Sequence, residues 1–277
     1  MRRVRLGFAG LRVDFVDRDL ALKLIEDWAG RGGTGLPRVI YGPEGCGKTA
    51  WLKQSVILLR ELGFEVIYVN PINREVLAEF GVAGLRDEFL RLVREAISQN
   101  ALGRLAWLAF DFAKELIRVT RGGKIAVMVD DAFQVIGVKE SALYVKALLN
   151  LIEYPPAEYE RIITIAATSE GVSLREIGRH SWSDTAPIWN MPKEGFRQLY
   201  DQLPGNKPSF DEIWRLTGGN PRMLERLYMR NWDVNEVINS LIKEKGLSLD
   251  FVRRWVGHLR EPLVIRITCG LTHPGGN

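Results

Sequence analysis

The segment GPEGCGKT, residues 42–49, follows the short apolar run RVIY and restricts the possible folds more than any other feature. Gly42, Gly47, Lys48 and Thr49 meet the spacing G-x-x-x-x-G-K-[ST], which arises by chance in about 1% of chains this long at average residue frequencies. The spacing predicts a phosphate-binding loop when a strand precedes it and a helix follows it. Both neighbours have those patterns, so the loop is predicted to join a strand to a helix around a phosphate.

Each position in this loop has a chemical reason. The glycines let backbone N–H groups turn toward an anion, and the helix that begins near Lys48 directs its positive end to the same place. Lys48 is predicted to reach the β- and γ-phosphates, and Thr49 to be a magnesium ligand. Cys46 is predicted to be a small filler of the loop. The predicted nucleotide-binding residues here are Gly42, Pro43, Glu44, Gly45, Cys46, Gly47, Lys48, Thr49 and Ala50.

A second segment, KIAVMVDDAF, ends an apolar strand with Asp130 and Asp131. Ligands bind at the carboxyl ends of strands in parallel sheets. Asp130 is predicted to hold magnesium through water, and Asp131 to orient or deprotonate the attacking water. Glutamate is commoner at the second position, and aspartate is shorter by about 1.5 Å. Hydrolysis is therefore predicted to be slow, although nucleotide binding should persist. The alternative is that the two acids cap the next segment.

The apolar run RIITIAATSEG ends in two hydroxyl side chains, Thr168 and Ser169. In a parallel sheet beside the strand of Asp130, one of these hydroxyls would sense the γ-phosphate or hold the water. Thr168 is taken as the candidate catalytic residue. The alternative is a simple N-cap for the following helix.

Repeated alternation of strand and helix patterns predicts an α/β fold, a three-layer α/β/α parallel sheet. The predicted strands cover 39–41, 65–70, 125–130, 162–168 and 186–190. The predicted helices between them cover 49–62, 85–99, 104–120 and 141–153. After residue 192 the pattern becomes helical, over 193–203, 209–216, 221–230, 234–244 and 248–259, and a strand-like run follows at 263–268.

Composition adds weaker constraints. With 46% hydrophobic and 26% charged residues, the chain reads as an ordinary globular protein, and it has no apolar run long enough to span a membrane. The basic start is interrupted by charges and is wrong for a signal peptide. Two cysteines make no disulfide framework. The cytoplasm is the simplest location. A net charge of +4 permits contact with nucleic acid without arguing for it.

Four segments in order carry a resemblance to a known family: FVDRDLALKLIEDW, GPEGCGKT, VMVDDAFQ and LTGGNPRML. Together they resemble archaeal P-loop ATPases of the extended AAA+ and STAND group, which is related to origin-recognition ATPases. The resemblance covers most of residues 13–230 and implies ATP or ADP with Mg²⁺ as ligands. The absence of an N-K-x-D signature agrees with adenine rather than guanine.

The resemblance also implies roles for individual residues. Phe15, Val16 and Arg18 would line the adenine pocket. Pro221 would lie near the adenine, and Arg222 would contact phosphate from a lid helix. The composition of GGNPR agrees, because a Gly-Gly hinge, an Asn cap and a Pro at the first helical position suit a helix start. The alternative is a surface Gly-Gly turn with an exposed arginine.

Arg175 or Arg179 would, by the same resemblance, reach the nucleotide of a neighbouring subunit, although an ordinary solvated arginine is the alternative for each. The implied domains are an N-terminal strap with the adenine-pocket helix (1–35), the ATPase core (36–192) and a helical lid (193–277). No membrane partner is expected, whereas a homo-oligomer or a protein client is possible.

The predicted function is magnesium-dependent ATP hydrolysis that is coupled to movement of the lid and to assembly. Two alternatives remain at this point: a slow ATP/ADP switch in signalling, and a DNA-binding protein that ATP controls.

Overall fold

A computed structural model of the chain describes residues 2–169 and 171–246, apart from the side chain of Ala83. The strands are β1 Arg5–Phe8, β2 Leu11–Asp14, β3 Arg38–Tyr41, β4 Glu65–Asn70, β5 Glu75–Glu79, β6 Lys124–Asp130, β7 Arg161–Thr168 and β8 Asp184–Pro187. The helices are α1 Asp19–Gly30, α2 Lys48–Glu61, α3 Ala83–Ser98, α4 Leu102–Thr120, α5 Phe133–Ile136, α6 Val138–Glu153, α7 Gly171–Ile177, α8 Lys193–Asp201, α9 Phe210–Thr217, α10 Pro221–Met229 and α11 Val234–Glu244. The predicted helix over 248–259 and strand over 263–268 lie outside the described residues.

Six strands form the central sheet in the order β5-β4-β6-β7-β3-β8. Every neighbouring pair is parallel except β4 and β5, which are antiparallel. The prediction of an α/β fold around a mostly parallel sheet is therefore confirmed. The antiparallel strand β5 was missed, because EVLAE is short and has an acid at each end.

Helices cover both faces of the sheet, as the three-layer prediction requires. Alternate residues of one strand point to opposite faces. In β6, Val127 and Val129 pack into a cluster with α3, α4 and α6. Ala126 and Met128 pack on the other face, with α1 and α2.

The last predicted strand, 186–190, is shifted in the structure. Strand β8 covers Asp184–Pro187 and pairs with β3 in a register that ends at Tyr41 opposite Pro187. The chain then leaves the sheet, with one further hydrogen bond from the Ile188 N–H to the Tyr41 carbonyl at 2.8 Å. The apolar residue at 188 suggested a longer strand, but β8 stops pairing where its neighbour β3 ends, at Tyr41. The β1–β2 hairpin and the short helices α5 and α7 were not predicted.

The chain divides into two compact units, Met1–Leu224 and a second that begins at Glu225. Helices α8 and α9 lie in the first unit and pack through Phe196, Phe210 and Trp214. In the second unit, an ion pair of 2.8 Å joins Arg226 to Glu244. The assignment of a lid domain to 193–277 stays a prediction. In the described part of the chain, no helix combines the length and apolar character needed to cross a bilayer.

Candidate nucleotide-binding site

Three adjacent strands bring the sequence motifs together. Strand β7 lies between β3 and β6, and all three are parallel. The register places Thr168 opposite Tyr41, the last residue before the phosphate loop, and Ala167 opposite Asp130. The loop, the acidic pair and the two hydroxyls therefore meet at one edge of the sheet, where parallel sheets bind ligands.

The loop between β3 and α2 has the backbone that its glycines permit. Gly45 and Gly47 have φ values of 78° and 103°, which residues other than glycine rarely adopt. A Cβ on Gly42 would lie 1.9 Å from the carbonyl oxygen of Ile188. Helix α2 begins at Lys48 and has no side-chain cap, so its first N–H groups point toward the loop. This is the arrangement that binds anions at a helix start.

Lys48 lies inside the loop. Its Nζ donates to the carbonyl oxygens of Gly42 at 2.9 Å and Pro43 at 3.1 Å. The neighbouring Cys46 is fully buried, and its thiol donates to the carbonyl of Ile188 at 3.1 Å. Burial raises the pKa of the Cys46 thiol, against the opposing effect of Lys48, so the thiol is neutral at neutral pH. The loop thus holds a buried cation beside its backbone N–H groups.

Asp130 is held through one of its two oxygens. Its Oδ2 accepts hydrogen bonds from Thr49 Oγ1 at 2.6 Å, Asn70 Nδ2 at 2.9 Å and the Tyr68 hydroxyl at 3.2 Å. Its Oδ1 is buried and has no hydrogen-bond partner within the described residues. Burial, followed by the charge of Asp131, raises the pKa of Asp130 to about 6, although the three hydrogen bonds oppose the shift.

This arrangement fits a magnesium ion. Magnesium in proteins binds hard oxygen ligands and commonly takes one or two carboxylates, with substrate phosphates supplying the rest. Asp130 and Thr49 supply a carboxylate and a hydroxyl, and Oδ1 is a buried acceptor that lacks a donor. In residues 2–169 and 171–246, no three His, Cys, Asp or Glu side chains form a metal cluster.

Asp131 has an unusual backbone. Its φ is 50°, and its N–H donates to the Ala167 carbonyl at 2.9 Å. Its Oδ1 accepts a hydrogen bond from the Ser169 hydroxyl at 3.2 Å, and Gln134 Nε2 donates to that hydroxyl at 3.2 Å. Thr168, the residue predicted for the γ-phosphate, is fully buried as the last residue of β7. The Ser169 hydroxyl, next along the chain, is in contact with Asp131.

The GGNPR segment lies against the phosphate loop. Asn220 caps α10 by accepting from the Met223 N–H at 3.1 Å, and its Nδ2 donates to the Glu44 carbonyl at 3.0 Å. The Arg222 N–H donates to the Gly45 carbonyl at 3.3 Å. The predicted Asn cap and the Pro at the first helical position of α10 are both confirmed. Asn220 is buried, but Gly218 and Arg222 are exposed, so the contact of Arg222 with phosphate stays a prediction beside its alternative, an exposed arginine.

We expect Gly45→Ala to destabilise the protein and to weaken ATP binding. A Cβ there would lie 2.1 Å from the Arg222 Cβ, so either the loop or the start of α10 must move. The matched control is Gly63→Ala, where φ is 81° but nothing lies within 4 Å. The control should cost about 1 kcal/mol of unfolding free energy from backbone strain, and Gly45→Ala about 1–3 kcal/mol more. Urea unfolding and ATP titration check this. Equal losses in both variants would contradict it.

The predicted adenine-pocket residues lie around one cavity of about 130 Å³. Its lining includes Phe15, Val16, Arg18 and Pro221, together with loop residues. Arg18 Nη2 donates to the carbonyls of Cys46 at 2.7 Å and Trp189 at 2.6 Å. Burial lowers the pKa of the Arg18 guanidinium. Arg18 therefore joins the N-terminal segment, the loop and the chain after β8 beside this cavity.

Arg175 and Arg179 are both exposed. Arg179 forms an ion pair of 2.9 Å with Glu176, one helical turn away. A role for either arginine at the nucleotide of another subunit stays a prediction.

Sequence reasoning missed the residues that hold Asp130 from the neighbouring strand. Tyr68 and Asn70 lie on β4, and both are fully buried. The signal was present, because EVIYVN ends an apolar strand with a polar side chain, as KIAVMVDD does. The strand-end rule was applied to the acids after β6 and the hydroxyls after β7, and an amide that positions an acid was passed over.

Comparisons with solved structures give distant similarities. The replication initiator DnaA bound to AMPPCP and single-stranded DNA matches with 16% identity, a TM-score of 0.45, and coverage of 84% of this chain and 67% of that one. AMPPCP-bound DnaA from Aquifex aeolicus matches with 19% identity, a TM-score of 0.43, and coverage of 92% and 70%. The Aeropyrum pernix ORC2 protein, in ADPNP-ADP complexes, matches with 17% identity, a TM-score of 0.47, and coverage of 87% and 67%. At these scores, nothing about binding or assembly transfers to this chain.

No curated protein sequence matches the chain. A family model does: ATPase_2, described as an ATPase domain predominantly from Archaea, matches residues 15–227. The match includes the phosphate loop, the acidic pair and the GGNPR segment. The chain therefore belongs to this family of ATPase domains and is an ATP-binding ATPase.

Proposed function

We propose that this ATPase binds MgATP between the phosphate loop and the end of β6, and that turnover changes the contact between the loop and α10. The observation that carries the proposal is the environment of Asp130. Three donors fix its Oδ2, next to Thr49, and leave Oδ1 buried with no partner among the residues that the structure describes. A buried acceptor of this kind is costly unless a ligand satisfies it.

The phosphates would be bound by the loop. Lys48 is already buried and needs only to exchange two carbonyl acceptors, those of Gly42 and Pro43, for phosphate oxygens. Charge-assisted hydrogen bonds to phosphate are stronger than those to a neutral carbonyl. Thr49 and Asp130 would hold Mg²⁺, which when bound supplies positive charge against the phosphate oxygens.

Asp131 would act on the attacking water. Its carboxylate lies at the same edge of the sheet as Asp130, and the Ser169 hydroxyl fixes one of its oxygens. The other oxygen can then accept a proton from water, as general-base catalysis requires. Its φ of 50° is tolerated by aspartate better than by most residues.

Coupling to the C-terminal segment would run through two backbone carbonyls of the loop. Asn220 holds the Glu44 carbonyl, and Arg222 holds that of Gly45 through its N–H. A nucleotide that rearranges these peptides biases the position of α10. Differential contact of this kind is what a ligand needs to shift a conformational equilibrium.

A slow ATP/ADP switch is the second candidate, and the geometry of Asp131 favours it. The side chain is short, and one of its oxygens is already engaged by Ser169. Both features would limit how closely the Asp131 carboxylate can approach the attacking water. In that case the protein would bind MgATP at the same site and turn over rarely.

The test is steady-state phosphate release from ATP, with and without Mg²⁺, for the wild type and Asp131→Asn. For the enzyme, we expect Mg²⁺-dependent release that falls about 10²-fold in the variant while ATP affinity changes less than about threefold. Wild-type release equal to that of Asp131→Asn, with ATP still bound, would contradict the enzyme and support the switch.

A further inference from the structure

The β1–β2 hairpin has one apolar face. Its antiparallel register places Leu6 opposite Val13 and Phe8 opposite Leu11. The two turn residues both have positive φ, 52° and 78°, as in the two-residue turns that match strand twist. Alternation then puts these four apolar side chains on one face and the charged residues on the other.

This face covers the cavity beside the phosphate loop. Phe8 and Val13 are buried, yet neither joins one of the two hydrophobic clusters of residues 2–169 and 171–246. Together with Leu6 they line the cavity of about 130 Å³, whose lining also includes Cys46 and Gly47. The space exceeds a packing gap, since a water molecule takes about 30 Å³ of liquid volume.

Two glutamines hold the hairpin in place, each through both the oxygen and the nitrogen of its side-chain amide. Gln54 of α2 accepts from the Val4 N–H and donates to the Arg2 carbonyl, both at 2.8 Å. Gln202, at the end of α8, accepts from the Asp14 N–H at 2.7 Å and donates to the Asp14 carbonyl at 3.1 Å. An isolated two-stranded hairpin is marginally stable, so these anchors decide where its face lies.

We propose that the hairpin is the outer wall of the nucleobase site, with Phe8 and Val13 contacting the base and Gln202 holding the wall against α8. An apolar slot next to an anion-binding loop suits a flat, uncharged ring that is attached to a phosphate chain. The family match begins at residue 15, so the hairpin lies outside the matched segment. The inference rests on the proposed function, because it assumes that phosphate occupies the loop.

The test compares two ligands by calorimetry in Mg²⁺: ATP, and inorganic tripolyphosphate, which has no base. We expect Phe8→Ala to weaken ATP about tenfold through lost aromatic contact, and to change tripolyphosphate by less than about twofold. Gln202→Ala should weaken ATP about threefold, again with tripolyphosphate unchanged. Gln198→Ala is the matched control, since this exposed glutamine lies on the same helix, and neither affinity should change.

Four results would overturn the inference. Unchanged ATP affinity in Phe8→Ala would mean that the hairpin does not contact the base. Equal losses for both ligands would mean that it acts through the fold, and Gln202→Ala decides this if Phe8→Ala does not fold. If the wild type binds ATP no better than tripolyphosphate, the base contributes no affinity, so the proposed base site is wrong and only the phosphate site is supported. Wild type that binds neither ligand would instead overturn the proposed function as well.

Discussion

Lys48→Ala is expected to lose ATP binding and hydrolysis together. Lys48 is buried, and its Nζ lies 2.9 Å from the Gly42 carbonyl and 3.1 Å from that of Pro43. Its removal deletes the positive charge that would face the phosphates and leaves two loop carbonyls without their donor. Truncating one partner of a buried, hydrogen-bonded charge pair commonly costs 2–5 kcal/mol, so affinity should fall about a hundredfold or more.

The measurement is calorimetric titration with MgATP, together with steady-state phosphate release. Lys53→Ala is the matched control, because Lys53 lies on the same helix but pairs with Glu75 at 2.6 Å. The control should keep ATP affinity within about twofold, since Lys53 lies outside the phosphate loop and is held in a partly buried pair with Glu75. A Lys48→Ala variant that releases phosphate at the wild-type rate would show that hydrolysis occurs elsewhere on the protein.

Asp130→Asn is expected to have opposite effects on stability and on activity. The pKa of Asp130 is raised from 3.8 to about 6, so the folded protein binds the proton more tightly than the unfolded chain does. Stability from this group is therefore present below about pH 4 and is lost as pH rises to about 6. Above that, the ionised carboxylate costs roughly 3 kcal/mol, because one pKa unit corresponds to about 1.4 kcal/mol. Asparagine has the same shape without this cost.

In Mg²⁺-free buffer at pH 7.5, the variant should gain about 1–3 kcal/mol of unfolding free energy over the wild type. At pH 4.5 the gain should fall to about a third of that value, because the folded carboxyl is then protonated while the unfolded one is still mostly ionised. Hydrolysis should fall about 10²-fold or more, because a neutral amide binds Mg²⁺ poorly. Urea unfolding at both pH values and phosphate release provide the measurements. A variant that is less stable than the wild type at both pH values would refute the expected cost of burying the ionised Asp130 carboxylate.

The parts of the site that lie in contiguous motifs could be predicted from the sequence. The phosphate loop and the acidic pair depend on local spacing and on the end of a strand, and the structure places both at one edge. The partners of Asp130 depend instead on strand order. Tyr68 and Asn70 reach it only because β4 lies next to β6, and no local pattern states which strands are neighbours.

Two further features could not be predicted from the sequence, for physical reasons. The β1–β2 hairpin turns at Ala9 and Gly10, and this pair lacks the Asn-Gly or Asp-Gly signal of a tight hairpin. The choice between Thr168 and Ser169 depends on where β7 ends. The last paired residue of the strand is buried, and the residue after it is free to turn toward Asp131.

The hydrogen bond from Asn220 to the Glu44 carbonyl spans 176 residues of sequence. A ribosome adds about 5–20 residues per second, so the phosphate loop is made on the order of ten seconds or more before its partner in α10. During that interval the Glu44 and Gly45 carbonyls lack the partners that Asn220 and Arg222 supply in the folded protein. The contact between the phosphate loop and α10 is thus among the last parts of the first unit to be completed, well after the glycine-rich loop and the acidic pair have been made.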